Sequence, residues 1–309
     1  MQGVVIKSTG SWYIVKTESG EQLNCRIRGK FRIQGIKSTN PVVVGDKVTI
    51  DQEEESYIIT ELKERKNYIV RKSVNLSKQT HIIASNVDQA ILVATIKSPT
   101  TSTSFIDRIL VAAKSYGVDV VLVFNKIDLL NEDEKLQLQS LMNLYQKIGH
   151  SCFSLAVLKD DLSSLKEVMK DKVNVICGHS GVGKSTLLNM IQPDLDILTQ
   201  EISVQHQQGL HTTTFSEMHE LDFGAKIIDT PGIRGFGLVE INPSELSHYF
   251  PEFFALKAKC KFHNCIHVNE PNCGVKKAIE DNEIAASRYK SYLSMLESDD
   301  ENYRVNKFE

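Results

Sequence analysis

The chain has 309 residues, 41% of them hydrophobic and 24% charged, with a formal net charge of -3. That length predicts two or three domains, and no apolar run approaches the ~20 residues of a membrane span. So small a net charge excludes a protein that coats nucleic acid indiscriminately, leaving local basic patches as the means of any RNA contact.

The N-terminus, MQGVVIKSTGSWYIV, alternates apolar and polar residues and lacks the marks of a signal peptide, which predicts a cytoplasmic protein without membrane association. Residues 1–64 read as five short strands, Gly3-Lys7, Trp12-Lys16, Gln22-Arg28, Lys47-Asp51 and Tyr57-Leu62, separated by turn-prone Ser-Thr-Gly, Glu-Ser-Gly and Val-Gly-Asp. Five strands suit an OB-fold barrel, an architecture that commonly binds RNA. Between Gln22 and Gly45 lie Arg26, Arg28, Lys30, Arg32 and Lys37 and no acidic residue, a pattern that serves either RNA contact or a solvated strand face. Residues 65–84, with Arg65, Lys66, Arg71, Lys72 and Lys78, read as a basic linker.

From 85 to 240 the pattern becomes α/β. Apolar runs of strand length at Gln89-Ile96, Val118-Phe124, Ser151-Leu155 and Val173-Cys177 alternate with helical stretches near 105–116, 132–148 and 161–171, the signature of a parallel sheet with right-handed crossovers. After the last of these strands comes Gly178-His179-Ser180-Gly181-Val182-Gly183-Lys184-Ser185, followed by an apolar helix opening with Thr186. In such a loop the backbone N–H groups curl around phosphates, Lys184 reaches the β- and γ-phosphates and Ser185 ligates Mg²⁺. Asn125-Lys126-Ile127-Asp128 follows the strand Val118-Phe124 directly. The Asp128 carboxylate can accept from both donors on the guanine edge, donors that adenine lacks, so the motif points to GTP and GDP. Asp229-Thr230-Pro231-Gly232 ends the strand Lys226-Ile228 and matches the D-x-x-G motif that meets Mg²⁺ and the γ-phosphate. Thr212-Thr213-Thr214 reads as the first switch, with Thr213 or Thr214 completing the Mg²⁺ shell, while Ser154-Leu155-Ala156 only approximates a base-contacting turn. The base-reading motif precedes the phosphate loop, the reverse of the ordinary order, so the domain is circularly permuted and its second switch leads into residues 241–309.

That last segment carries a predicted helix near 283–297 and Cys260-x4-Cys265-x-His267-x5-Cys273, enough to fill a tetrahedral Zn²⁺ shell with no position left for water. His263 competes with His267 for the imidazole position. Cys25, Cys152 and Cys177 are scattered and read as buried thiols.

Taken together, the permuted order, the 178–185 loop, His211-Thr212-Thr213-Thr214 and the zinc spacing resemble the RsgA (YjeQ/YloQ) family of permuted GTPases across essentially the whole chain. The family's switch usually has Arg before His, where this chain has Leu210. The resemblance implies an OB-fold and a zinc module that grip ribosomal RNA of the small subunit, and weak hydrolysis stimulated by that subunit. A monomer is expected. An RNA-binding assembly scaffold gated by guanine nucleotide, with negligible turnover, is the competing function. Where Ras-like enzymes place a water-orienting Gln after the D-x-x-G glycine, this chain has Ile233, so the role falls to His211 or to a group supplied by RNA or a ribosomal side chain.

Overall fold

The computed structural model describes residues 1–27, 41–54, 56–72, 80–193, 216–229 and 241–297. Alternation builds the first unit: β1 (Gln2–Ser8), β2 (Tyr13–Thr17), β3 (Gln22–Ile27), β4 (Lys47–Glu53) and β5 (Ser56–Leu62) turn every second side chain inward. Val5, Tyr13, Val15, Leu23, Cys25, Val48, Ile50 and Ile59 form a core of their own. Pairing runs β1-β2-β3-β5-β4 and returns from β4 to β1, with β3 parallel to β5, so the sheet closes as the five-stranded OB barrel expected.

The segment read as a basic linker holds an antiparallel pair instead, β6 (Tyr68–Lys72) and β7 (Thr80–Ser85). Its apolar residues are well placed: Ile69 and Ala84 enter the main core, and Val70 and Ile82 pack with Val43.

Parallel strands follow, β8 (Gln89–Ala94), β9 (Asp119–Asn125), β10 (Ser151–Leu155) and β11 (Val173–Cys177), joined by α1 (Thr103–Ser115), α2 (Glu132–Lys147) and α3 (Ser163–Met169). Ser102 caps α1, and α2 opens with a capping box between Asn131 and Glu134. After α4 (Lys184–Ile191) come β12 (Ser216–Glu220) and β13 (Lys226–Asp229). The order is β10-β9-β8-β11-β13-β12, parallel except for β12. Buried on both faces, these strands alternate between two cores: Ala90, Leu92, Leu122 and Val175 face one side, Ile91, Val93, Val123 and Ile227 the other.

The free edge of β12 pairs antiparallel with β1 through Lys7↔Glu217 and Ser8↔Ser216, so one sheet runs from β10 into the barrel. The chain then adds α5 (Pro251–Phe254), α6 (Gly274–Glu280) and α7 (Ala286–Glu297), of which α7 packs along α1. Among the described residues no helix is long and apolar enough to cross a membrane.

Candidate functional site

The loops at 125–128 and 178–185 leave the C-terminal ends of the parallel strands β9 and β11, the edge where open α/β sheets bind ligands. The loop after β11 is built by backbone requirements. Gly178 has φ +141°, and a Cβ there would stand 2.3 Å from the Val93 carbonyl oxygen. Gly183 has φ +101°, and its Cβ would fall 2.3 Å from Asn125 Nδ2. Only glycine permits either approach. The loop delivers the chain to α4 at Lys184, whose Nζ donates to the His179 carbonyl at 2.5 Å, the helix start adding its field for an anion. Ser185 and Thr186 are half-buried in the first turn. The His179 ring stacks on Phe105 of α1 at 3.6 Å between centroids, and burial, reinforced by Lys184, lowers its pKa below the ordinary imidazole value.

The base-reading loop is bonded to the phosphate loop. Asn125, buried, donates from Nδ2 to the Val182 carbonyl at 2.9 Å, while its Oδ1 accepts from Lys126 N at 2.7 Å and Val157 N at 3.2 Å. Lys126, at φ +64°, sends Nζ to the carbonyls of Gly181 and Ser98, each at 2.6 Å. Asp128 lies beyond, in a short turn with Ile127, exposed and 2.7 Å from Lys159 Nζ. The hydrogen bond from Lys159 holds its carboxyl below the usual carboxylate range. Ser154 and Leu155 end β10, and the Ala156 N–H donates to Asp160 Oδ2 at 2.6 Å. Asp229 closes β13, the strand beside β11. His211, Thr212, Thr213, Thr214, Gly232 and Ile233 lie outside the described residues, as do Arg28 to Lys37 and Lys78 of the basic stretches.

Of the expected residues, then, 125–128 and 178–186 are gathered into one constellation. Sequence reasoning missed Phe105, Ser98 and Lys159, which reach the site through tertiary placement and carry no motif of their own.

A second cluster lies between α5 and α6. The ligand atoms of Cys260, Cys265, His267 and Cys273 all fall within 4.8 Å of one another. His267 Nδ1 is 3.6, 3.4 and 3.3 Å from the three sulfurs in chain order, and Cys260 Sγ is 3.9 Å from Cys273 Sγ. A tetrahedral metal with bonds of ~2.3 Å to sulfur and ~2.0 Å to nitrogen separates its ligand atoms by about 3.5 to 3.8 Å, so the four groups fit one ion. Burial and the neighbouring thiols push the Cys265 thiol up to about 12. Three sulfurs this close carry thiolate charge only when a cation shares it. The shell is braced by Tyr289 and Tyr292, whose hydroxyls donate to the carbonyls of His267 and Ile266 at 2.7 and 2.6 Å. His263 is exposed and stands outside the group.

Fold and site together define a circularly permuted P-loop GTPase: the strand carrying the phosphate loop is central in the sheet yet follows, in chain order, the strand carrying the base-reading loop. Comparison with known proteins makes this specific. The RsgA GTPase family profile matches residues 62–239 and the RsgA N-terminal domain profile residues 2–58. The small ribosomal subunit biogenesis GTPase RsgA of Christiangramia forsetii is 54% identical over 100% of both chains, and that of Flavobacterium johnsoniae 56% identical over 99% of this chain and 96% of its own. Among solved structures, YjeQ from Thermotoga maritima superposes with a TM-score of 0.78 at 36% identity over 96% of each chain. YloQ, described as a circularly permuted GTPase, gives 0.75 at 30% identity over 99% of this chain and 96% of that one. The chain belongs to the RsgA family and is a GTPase.

Proposed function

We propose that this GTPase acts in late maturation of the small ribosomal subunit in the cytoplasm, as a monomer that binds ribosomal RNA through its barrel and its cysteine module and is activated by the subunit. The observation that carries the nucleotide reading is the side-chain stitching of Asn125 to Val182 and of Lys126 to Gly181, which sets a guanine reader and a phosphate cradle at one fixed spacing. The RNA reading rests on the barrel fold, the basic stretches and the relatives' names.

In the mechanism, the Asp128 carboxylate receives the guanine donors, and the N–H groups of residues 178–186 surround the phosphates. Lys184 leaves the His179 carbonyl for the β- and γ-phosphate oxygens, neutralising charge that grows on the leaving group. Magnesium would screen the same oxygens when bound with the nucleotide, held by Ser185 and by Thr213 or Thr214, with Asp229 supporting it and Gly232 N–H meeting the γ-phosphate. Ile233 cannot orient water, so His211 takes that part on the subunit. His211→Ala should lose most subunit-stimulated turnover while GTP affinity stays near normal. Near-normal stimulation would remove His211 from the mechanism.

The cysteine cluster holds one structural Zn²⁺, since four protein ligands leave no open position. Elemental analysis should find one zinc per chain, lost in Cys265→Ser. As domains we infer an OB barrel at 1–64, a connecting segment at 65–84, the GTPase domain at 85–240 and the zinc module at 241–309. Measuring GTP turnover of the full chain with and without purified small subunits tests the function. Strong stimulation is expected, and turnover unmoved by subunits would favour the assembly scaffold. Deleting residues 1–64 should weaken subunit binding across a salt series and spare nucleotide binding.

A further inference from the structure

Asp128 faces a cation. Lys159, in the loop after β10, places Nζ 2.7 Å from Asp128 Oδ2, and its side chain is 66% exposed, open to a ligand on that side. The loop itself has few backbone donors to offer. Ala156 N–H is taken by Asp160 Oδ2, Val157 N–H by Asn125 Oδ1, and the N–H groups of Lys159 and Asp160 both turn back to the Ala156 carbonyl.

Guanine presents three groups in a row: the carbonyl oxygen O6, the N1–H donor and the 2-amino donor. A carboxylate paired with the two donors sets one oxygen beside O6, and two acceptors at that spacing repel unless a donor lies between them. We propose that Lys159 is a specificity-determining residue whose ammonium bridges the Asp128 carboxylate and guanine O6. The inference rests on the reading of Asp128 as the guanine-binding carboxylate. Adenine would turn a 6-amino group toward that ammonium, donor against donor, and an N1 acceptor toward the carboxylate, so the pair of side chains rejects it at both positions. An ordinary exposed ion pair would do no more than steady the carboxylate, and the two roles differ in which atom of the base they feel.

Purified full-length protein and its Lys159→Met variant are titrated with GDP, IDP and 6-thio-GDP. IDP keeps O6 and lacks the 2-amino group; 6-thio-GDP replaces O6 by sulfur, a poor acceptor. Lys159→Met should weaken GDP and IDP by a similar factor, about tenfold for one charge-assisted hydrogen bond, and change 6-thio-GDP much less. Lys159→Arg should restore most of the loss. Losing the Lys159 hydrogen bond lets the Asp128 carboxyl rise toward its ordinary range, so the acid limb of GDP binding should also move to higher pH in Lys159→Met. Equal losses for GDP and 6-thio-GDP, or affinities within about twofold for all three ligands, would overturn the proposal. Asp128→Asn is the control, with XDP as its ligand. If that variant gains XDP while Lys159→Met changes nothing, only the Lys159 role falls. If it gains no XDP, the Asp128 reading falls and takes the Lys159 role with it.

Discussion

The barrel and the cysteine module flank the same sheet, yet they are attached by different physics. The barrel has a core of its own, closed by β1, β2, β3, β5 and β4, and meets the GTPase sheet through two residue pairs between β1 and β12, the Lys16–Glu220 ion pair, Val4 and Ile6 packed on the main core, and its 41–46 loop. Among the described residues the cysteine module has no separate core. Phe250, Phe253, Val275, Ile284 and Tyr292 belong to the cluster that also holds Ile106, Leu110 and Leu122. A unit with its own core can fold apart from its neighbour, whereas the module depends on α1 for its apolar burial and on four ligands for its shape.

The seam between α1 and α7 offers the sharpest way to break the comparison. Arg288, only 1% exposed, places Nη1 2.6 Å from Asp107 Oδ1 and Nε 2.7 Å from Glu252 Oε1, with its guanidinium over the Phe250 ring at 4.5 Å. Tyr145 of α2 donates to the same Asp107 oxygen at 2.8 Å. Removing one partner strands a charge that water cannot reach. Arg288→Ala should cost roughly 3–5 kcal/mol in chemical denaturation, the largest effect among these variants. Arg288→Lys should recover part of it, because an ammonium keeps the charge and loses the fork.

At the barrel the comparable anchor is Asp46. Its carboxylate accepts from Arg65 Nε and Nη2 at 2.6 and 2.7 Å, from Ser85 Oγ at 2.6 Å and from Val43 N at 2.8 Å. Gly45 permits the approach: at φ +94° a Cβ would sit 2.0 Å from the Ser85 carbonyl oxygen. Gly45→Ala should therefore cost on the order of 2–3 kcal/mol, the strain of the left-handed conformation plus a displaced strand end. Because the barrel has its own core, that loss should appear in proteolysis as release of an intact N-terminal fragment. A single cooperative loss of both units would contradict the distinction drawn here.

These anchors explain what could be read beforehand. Strands β1 to β5 and β8 to β11 follow from alternation and from apolar runs, and the phosphate loop and cysteine cluster from spacing rules that a chain must obey locally. Asp46 sits in Val-Gly-Asp, which reads as a surface turn, because nothing local says that Arg65 will bury it. Arg288 and Asp107 are 181 positions apart, and no periodicity links them. The β1 and β12 pairing is equally silent, since an edge strand looks the same whether water or another strand covers it. The β6 and β7 pair is hard to read because its short apolar runs, Tyr68-Ile69-Val70 and Ile82-Ile83-Ala84, lie among basic residues and show no clear alternation.

Acid should affect the module side. His150, in the turn between α2 and β10, has its pKa lowered first by burial and further by Arg288 and Lys114, against the opposing pull of the Val120 carbonyl and Glu252. A histidine whose pKa is lowered on folding leaves stability complete above its unfolded value of ~6.5 and removes it as pH falls toward the folded value. Thermal stability should thus decline below about pH 6.5, and His150→Gln should flatten that part of the profile. An unchanged slope would assign the acid sensitivity elsewhere.

The smallest effect belongs to the strand junction. Lys7 Nζ lies 2.7 Å from Glu217 Oε2 across the β1 and β12 pair, with side chains 32% and 38% exposed. Such a pair gains little over hydration, is screened by salt and orders two flexible side chains. A double-mutant cycle between Lys7→Ala and Glu217→Ala should return a coupling below about 1 kcal/mol that vanishes at high salt. The same cycle between Arg288→Ala and Glu252→Ala should return more and hardly respond to salt, since that pair is withdrawn from the ionic atmosphere. If the two cycles agreed in size and salt response, the barrel junction would be as firmly bonded as the module seam. The barrel would then move only as one body with the sheet, and β12, which Ser216 joins to the 194–215 segment carrying the threonine switch, could not shift against it when nucleotide changes.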